Sequence, residues 1–102
     1  MNDNIQNDPG LLLLISLAGG PKHGHAMLID VERFAGVRLG PGTLYGAITR
    51  LEECGWIRPV ESEDRRRPYR LTGVGATNLT EQLRGLSAFA RHGLRQLGQS
   101  EP

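Results

Sequence analysis

Residues 41–57 read Pro41-Gly42-Thr43-Leu44-Tyr45-Gly46-Ala47-Ile48-Thr49-Arg50-Leu51-Glu52-Glu53-Cys54-Gly55-Trp56-Ile57, and this stretch decides the fold. Gly40 is a tolerable N-cap, and Pro41 suits the first helical position, where a missing N–H costs nothing. Leu44, Ile48 and Leu51, with Cys54, recur at spacings of three and four and form one apolar face. Tyr45, Thr49, Arg50 and Glu53 fall on the opposite face. Gly55 stops the helix. The spacing predicts an amphipathic helix over 41–54 with a buried side and a polar side. Cys54, in its last turn, is expected to be a small buried residue.

Downstream, Trp56–Glu61 predicts a strand, Ser62–Arg67 a charged tip and Pro68–Leu71 a returning strand. Thr72 caps a long final helix over 72–97. Its apolar stripe, Leu79, Leu83, Leu86, Ala90, Leu94 and Leu97, is heptad-like from Leu83 onwards. Upstream, the nearly all-apolar run Leu11–Leu17 predicts a buried helix over 9–19, ended by Gly19-Gly20-Pro21. A second helix is expected over 23–35, with Ala26, Met27, Ile29 or Asp30, Val31 and Phe34 on a side that can face a core and Gly36 closing it. The resulting class is mostly α with a small β-hairpin: a winged helix-turn-helix plus a C-terminal dimerisation helix. The expected divisions are a disordered tail at 1–8, a DNA-binding domain at 9–71, a dimerisation helix at 72–98 and a tail at 99–102.

Composition narrows the function classes. With 102 residues, 38% hydrophobic and 23% charged, the chain suits one soluble globular domain. The apolar run Leu11–Leu17 is far short of the roughly 20 residues a membrane span needs. Asn2–Asp8 contains Asp3 and Asp8 and no Lys or Arg, which is not the positive start of a secretory signal. Cys54 is the only cysteine, so an internal disulfide is excluded and a cytoplasmic location is expected. His23, His25 and Cys54 lack metal-ligand spacing, and neither a metal nor a cofactor is expected. No carboxylate pair, activated nucleophile or phosphate-cradling loop stands at a usable spacing, so no enzyme is expected.

The net charge of +1 decides nothing, but its distribution does. Between Arg33 and Arg70 stand eight arginines (33, 38, 50, 58, 65, 66, 67, 70) against five acidic residues (52, 53, 61, 63, 64). Three helices followed by a hairpin place the third helix in a DNA major groove, which is wide enough for one helix and presents distinguishable base edges. Thr43, Tyr45, Thr49 and Arg50 supply hydroxyls and a guanidinium for that work. Arg65, Arg66 and Arg67 at the hairpin tip suit phosphates. Lys22 and His23, at the start of the second helix, are expected to add a phosphate contact beside backbone N–H groups. Plainer roles exist for several of these. Tyr45 can pack on its own helix, and Arg50 can pair with Glu52 or Glu53. The tip arginines can pair with Glu61, Glu63 and Asp64, and Trp56 is expected to pack in the core or hairpin.

Pro41-Gly42-Thr43-Leu44-Tyr45, Ala47-Ile48, Arg50-Leu51-Glu52-Glu53 and Gly55-Trp56-Ile57 resemble the recognition-helix signature of the PadR family of transcriptional regulators. Leu17 through Gly20-Pro21 with His23-Gly24 is similar to that family's junction between its first two helices. Arg67-Pro68-Tyr69-Arg70-Leu71-Thr72 with Gly75 is similar to its second wing strand and the start of its last helix. The resemblance covers residues 11–80. His25 stands where the family usually has Tyr, Gly46 where it has Pro, and Gly40 where it has Ser or a similar cap. The resemblance implies a dimeric winged-helix regulator, usually a repressor, on an inverted-repeat operator of double-stranded DNA. By position, Pro41, Thr43, Leu44, Tyr45 and Arg50 belong to the DNA-reading helix and Arg65–Arg67 to the wing.

It also implies a homodimer interface between the first and last helices, here Leu12, Leu79, Leu83, Leu86, Phe89, Ala90, Leu94 and Leu97. In shorter members the C-terminal part is a single helix, which the stretch after Leu71 is expected to match. A small-molecule effector at the interface is frequent in the family. With only Phe89 and Phe34 near it, a stacked aromatic drug site is poorly supported. The alternative function is a winged-helix module for protein–protein contact without DNA, which a salt-dependence measurement separates from DNA binding.

Overall fold

A computed structural model describes residues 8–63 and 65–99. Of the expected tails at 1–8 and 99–102, residues 1–7 and 100–102 lie outside the described residues, as does Asp64 of the expected tip.

The first helix, α1 (Pro9–Ala18), starts where a side chain can serve as its cap. Asp8 Oδ1 accepts from the Gly10 N–H at 3.0 Å and the Leu11 N–H at 3.3 Å, so Asp8 belongs to the helix and not to the tail. Leu11, Leu12, Leu13, Leu14, Ser16 and Leu17 are all buried, which makes α1 the central element. A two-residue strand, β1 (Lys22–His23), leads directly into α2 (Gly24–Ala35). That helix ends at Gly36, whose φ of 69° is the left-handed conformation glycine adopts without strain. The next helix, α3 (Pro41–Glu53), matches the sequence expectation within one residue. The hairpin strands are β2 (Ile57–Pro59) and β3 (Pro68–Leu71), and α4 (Gly73–Gln99) completes the chain. Thr72 caps α4 as expected: its hydroxyl accepts from the Gly75 N–H at 3.0 Å and donates to the Gly55 carbonyl at 2.7 Å.

The sheet corrects the expected two-stranded hairpin. It has three antiparallel strands in the order β1-β3-β2. Lys22 pairs with Tyr69 and His23 with Pro68, while Ile57, Arg58 and Pro59 pair with Leu71, Arg70 and Tyr69. A strand of two residues leaves no periodicity to read. The outgoing strand is shorter than 56–61; beyond Pro59 the pairing continues only through the Val60 N–H, which donates to the Pro68 carbonyl at 2.9 Å.

The core joins α1 to Met27, Val31, Leu39, Leu44, Ala47, Ile48, Leu51, Ile57 and Leu79. Sequence expectations change here for Leu12, Leu79, Cys54 and Phe34, the last of which, expected to face the core, is 45% exposed. Leu12 and Leu79, expected at the dimer interface, are 3% and 4% exposed within one protomer and belong to its own core. Cys54 is exposed, because it is the C-cap residue of α3, where the chain turns away from the apolar face. The start of α4 is held close by a glycine: a Cβ at Gly75 would collide with the Trp56 carbonyl oxygen and stand 3.0 Å from Leu71 Cδ1. Trp56 is half-buried against the core, as expected. Among the described residues no helix is long and apolar enough to cross a membrane.

Candidate nucleic-acid interface

Helix α3 turns Leu44, Ala47, Ile48 and Leu51 inwards and leaves Pro41, Thr43, Tyr45, Thr49 and Arg50 exposed. Leu44, only 3% exposed, anchors the helix from its buried side instead of facing a ligand. The Thr49 hydroxyl donates to the Tyr45 carbonyl at 2.9 Å, leaving oxygen lone pairs open to solvent. Arg50 folds back along the helix: a Cβ at Gly46 would lie 3.7 Å from Arg50 Nη1. Among the described residues Arg50 forms no ion pair with Glu52 or Glu53.

Tyr45 does not pack only on its own helix. Its ring lies across Gly24, where an added Cβ would stand 3.1 Å from both Cε1 and the phenol oxygen. The tyrosine is still 55% exposed, so the edge that carries Cε1 and the phenol oxygen rests on α2 while the rest of the side chain faces solvent. Beside it opens a cleft of about 340 Å³ lined by His23, Gly24, His25, Tyr45, Arg65, Arg66, Arg67 and Tyr69. Side chains from the start of α2, the exposed side of α3 and the hairpin thus meet at one concavity. Arg65 and Arg67 also border a second hollow with Glu61 and Glu63, on the hairpin itself.

The two residues expected to contact phosphate at the start of α2 are engaged within the chain. His23 is the N-cap of α2, its Nδ1 accepting from the Ala26 N–H at 3.3 Å. The Lys22 ammonium donates to the Ser16 carbonyl at 2.6 Å and the Gly20 carbonyl at 3.3 Å, and lies 4.0 Å from Asp30 Oδ2. It thereby serves the C-terminal end of α1, which has no basic residue in its own last turn. Buried Ser16 completes this cluster by donating from Oγ to Asp30 at 2.7 Å. Gly24, His25 and Tyr69 were not singled out as interface residues from sequence. The one available signal was the His23-Gly24-His25 spacing, which places a second imidazole just beyond the capping one.

Residues 11–81 match the Transcriptional regulator PadR-like family. The chain belongs to this family. Among its relatives is the transcriptional regulator Rv3488 of Mycobacterium tuberculosis, 37% identical over 84 residues that cover 79% of this chain and 78% of that protein. A 37.1 kDa protein in transposon Tn4556 of Streptomyces fradiae is 43% identical over 84 residues, covering 82% of this chain. The chain spans only 24% of that relative's length. The fold of this PadR-like regulator is shared with the solved structure of a transcriptional regulator from Clostridium thermocellum. The TM-score is 0.78 at 22% identity, covering 93% of this chain and 95% of that one.

Proposed function

We propose that this PadR-like regulator is a cytoplasmic, DNA-binding repressor that acts as a homodimer on an inverted-repeat operator. The observation that carries this reading is the shared cleft: Tyr45 of α3 and Arg65, Arg66 and Arg67 of the hairpin border one concavity. In that arrangement α3 enters the major groove with Thr43, Thr49 and Arg50 towards base edges, while the hairpin arginines and Tyr45 hold the flanking backbone. His23 supports this surface as the cap of α2, and Lys22 supports it from inside. Dimerisation is favoured by the exposed stripe on α4. Leu83, Phe89, Leu94 and Leu97 are 39%, 76%, 68% and 67% exposed, and Ala90 is exposed beside them. Leu86, half-buried, continues the stripe towards the core. So much apolar surface on one helix calls for a partner. A dimer spaces its two α3 helices about one turn of DNA apart, and occupying the promoter excludes polymerase.

The test is affinity for a DNA duplex across a salt series, with the parent chain and Arg66→Ala. The parent's affinity is expected to fall steeply with salt, and the variant's slope to be shallower by about 1. A protein–protein module would show no such binding.

A further inference from the structure

We propose that His25 is a DNA-phosphate ligand and makes DNA binding proton-linked; this rests on the DNA-binding reading above. The imidazole is exposed on the first turn of α2 and lines the cleft together with Arg65, Arg66, Arg67 and Tyr45. No carboxylate is among the described residues that line that cleft. The groups sharing the cleft from each side are the three arginines and Tyr69 from the hairpin, Tyr45 from α3 and His23 from the start of α2 itself. Glu61 and Glu63 stand with Arg65 and Arg67 at the neighbouring hollow instead. The two histidines differ in kind. His23 uses Nδ1 as an acceptor for the Ala26 N–H, a role that needs that nitrogen unprotonated. His25 has no hydrogen-bond partner among the described residues.

Imidazole changes charge between about pH 5 and pH 8. A phosphate in the cleft favours the imidazolium, which donates a charge-assisted hydrogen bond to it. Each protomer that binds then takes up a proton from solvent, held between the His25 ring and a phosphate oxygen. DNA affinity therefore rises as pH falls.

The experiment is the dissociation constant for a mixed-sequence DNA duplex at constant ionic strength, measured between about pH 6 and pH 8. The parent chain is expected to bind about tenfold tighter at the acidic end, one charge-assisted contact per protomer being enough for that factor. His25→Gln is expected to bind with a nearly flat profile. His25→Lys, charged throughout the range, is expected to bind at the alkaline end as tightly as the parent does at the acidic end. His92→Gln, on α4, keeps the parent's profile. A flat parent profile overturns the proposal, as does a parent-like slope in His25→Gln or weak alkaline binding by His25→Lys. Absence of duplex binding by the parent at every pH and salt concentration overturns the DNA-binding reading itself.

Discussion

The phenol of Tyr45 rests on Gly24, with a Cβ at Gly24 coming within 3.1 Å of the ring and its hydroxyl oxygen. This one approach couples the exposed face of α3 to the start of α2, because only a residue without a side chain leaves the ring its seat. Gly24→Ala makes Tyr45 give way, and Tyr45, being 55% exposed, has room to swing outwards. The expected result is a stability within about 1 kcal/mol of the parent, since alanine's better helix propensity offsets the lost fit. DNA affinity is expected to fall by about fivefold, on the order of 1 kcal/mol. Urea unfolding and duplex titration on the same sample check both halves; an unchanged affinity removes the role given to this contact.

Gly75 behaves differently because its neighbour is backbone. The Trp56 carbonyl cannot swing aside: it also accepts from the Thr72 N–H at 3.0 Å. Gly75→Ala must therefore shift the start of α4 against β2, and a loss of about 3 kcal/mol or more is expected. Denaturant midpoints measure it, and a loss below about 1 kcal/mol would contradict the close packing of these two segments.

Lys22→Met separates an inward role from a phosphate contact. Removing the ammonium leaves the Ser16 and Gly20 carbonyls and the Asp30 carboxylate short of a donor. A stability loss of about 1–3 kcal/mol is expected. The salt slope of DNA binding stays as in the parent. A slope reduced by about 1 would instead assign Lys22 to the DNA backbone.

The α4 stripe divides between monomer and dimer. Leu79→Ala is expected to cost about 2–5 kcal/mol of unfolding free energy, as a core cavity does. Leu94→Glu, at a residue 68% exposed, is expected to leave the protomer folded and shift sedimentation from dimer to monomer. A Leu94→Glu protein that remains dimeric places the interface elsewhere.

Much of this architecture is legible in the sequence where local chemistry and tertiary need coincide. Pro41 and the Leu44–Ile48–Leu51 face fix α3, Thr72 fixes the start of α4, and Pro68–Leu71 forms the strand expected of it. The misses have physical causes. Lys22 reads as a surface cation, yet the Ser16 and Gly20 carbonyls at the end of α1 and the Asp30 carboxylate draw it inwards. Its two-residue strand exists only because β3 offers it an edge, a tertiary fact without a local signal. Leu12 and Leu79 satisfy the spacing of an interface stripe and of a core equally well, and only packing separates them. Cys54 keeps the helical spacing of the apolar face but sits where the helix ends. His23, Tyr45 and Arg65–Arg67 are legible as contact residues, but their meeting with Gly24, His25 and Tyr69 in one cleft is not, because it forms only after three segments are brought together.

The most direct test of the central claim is selection of bound sites from a random pool of DNA duplexes at near-physiological salt, sequenced after several rounds. The account predicts an enriched inverted repeat with half-sites centred about one helical turn apart. A folded, dimeric protein that enriches no sequence would contradict it.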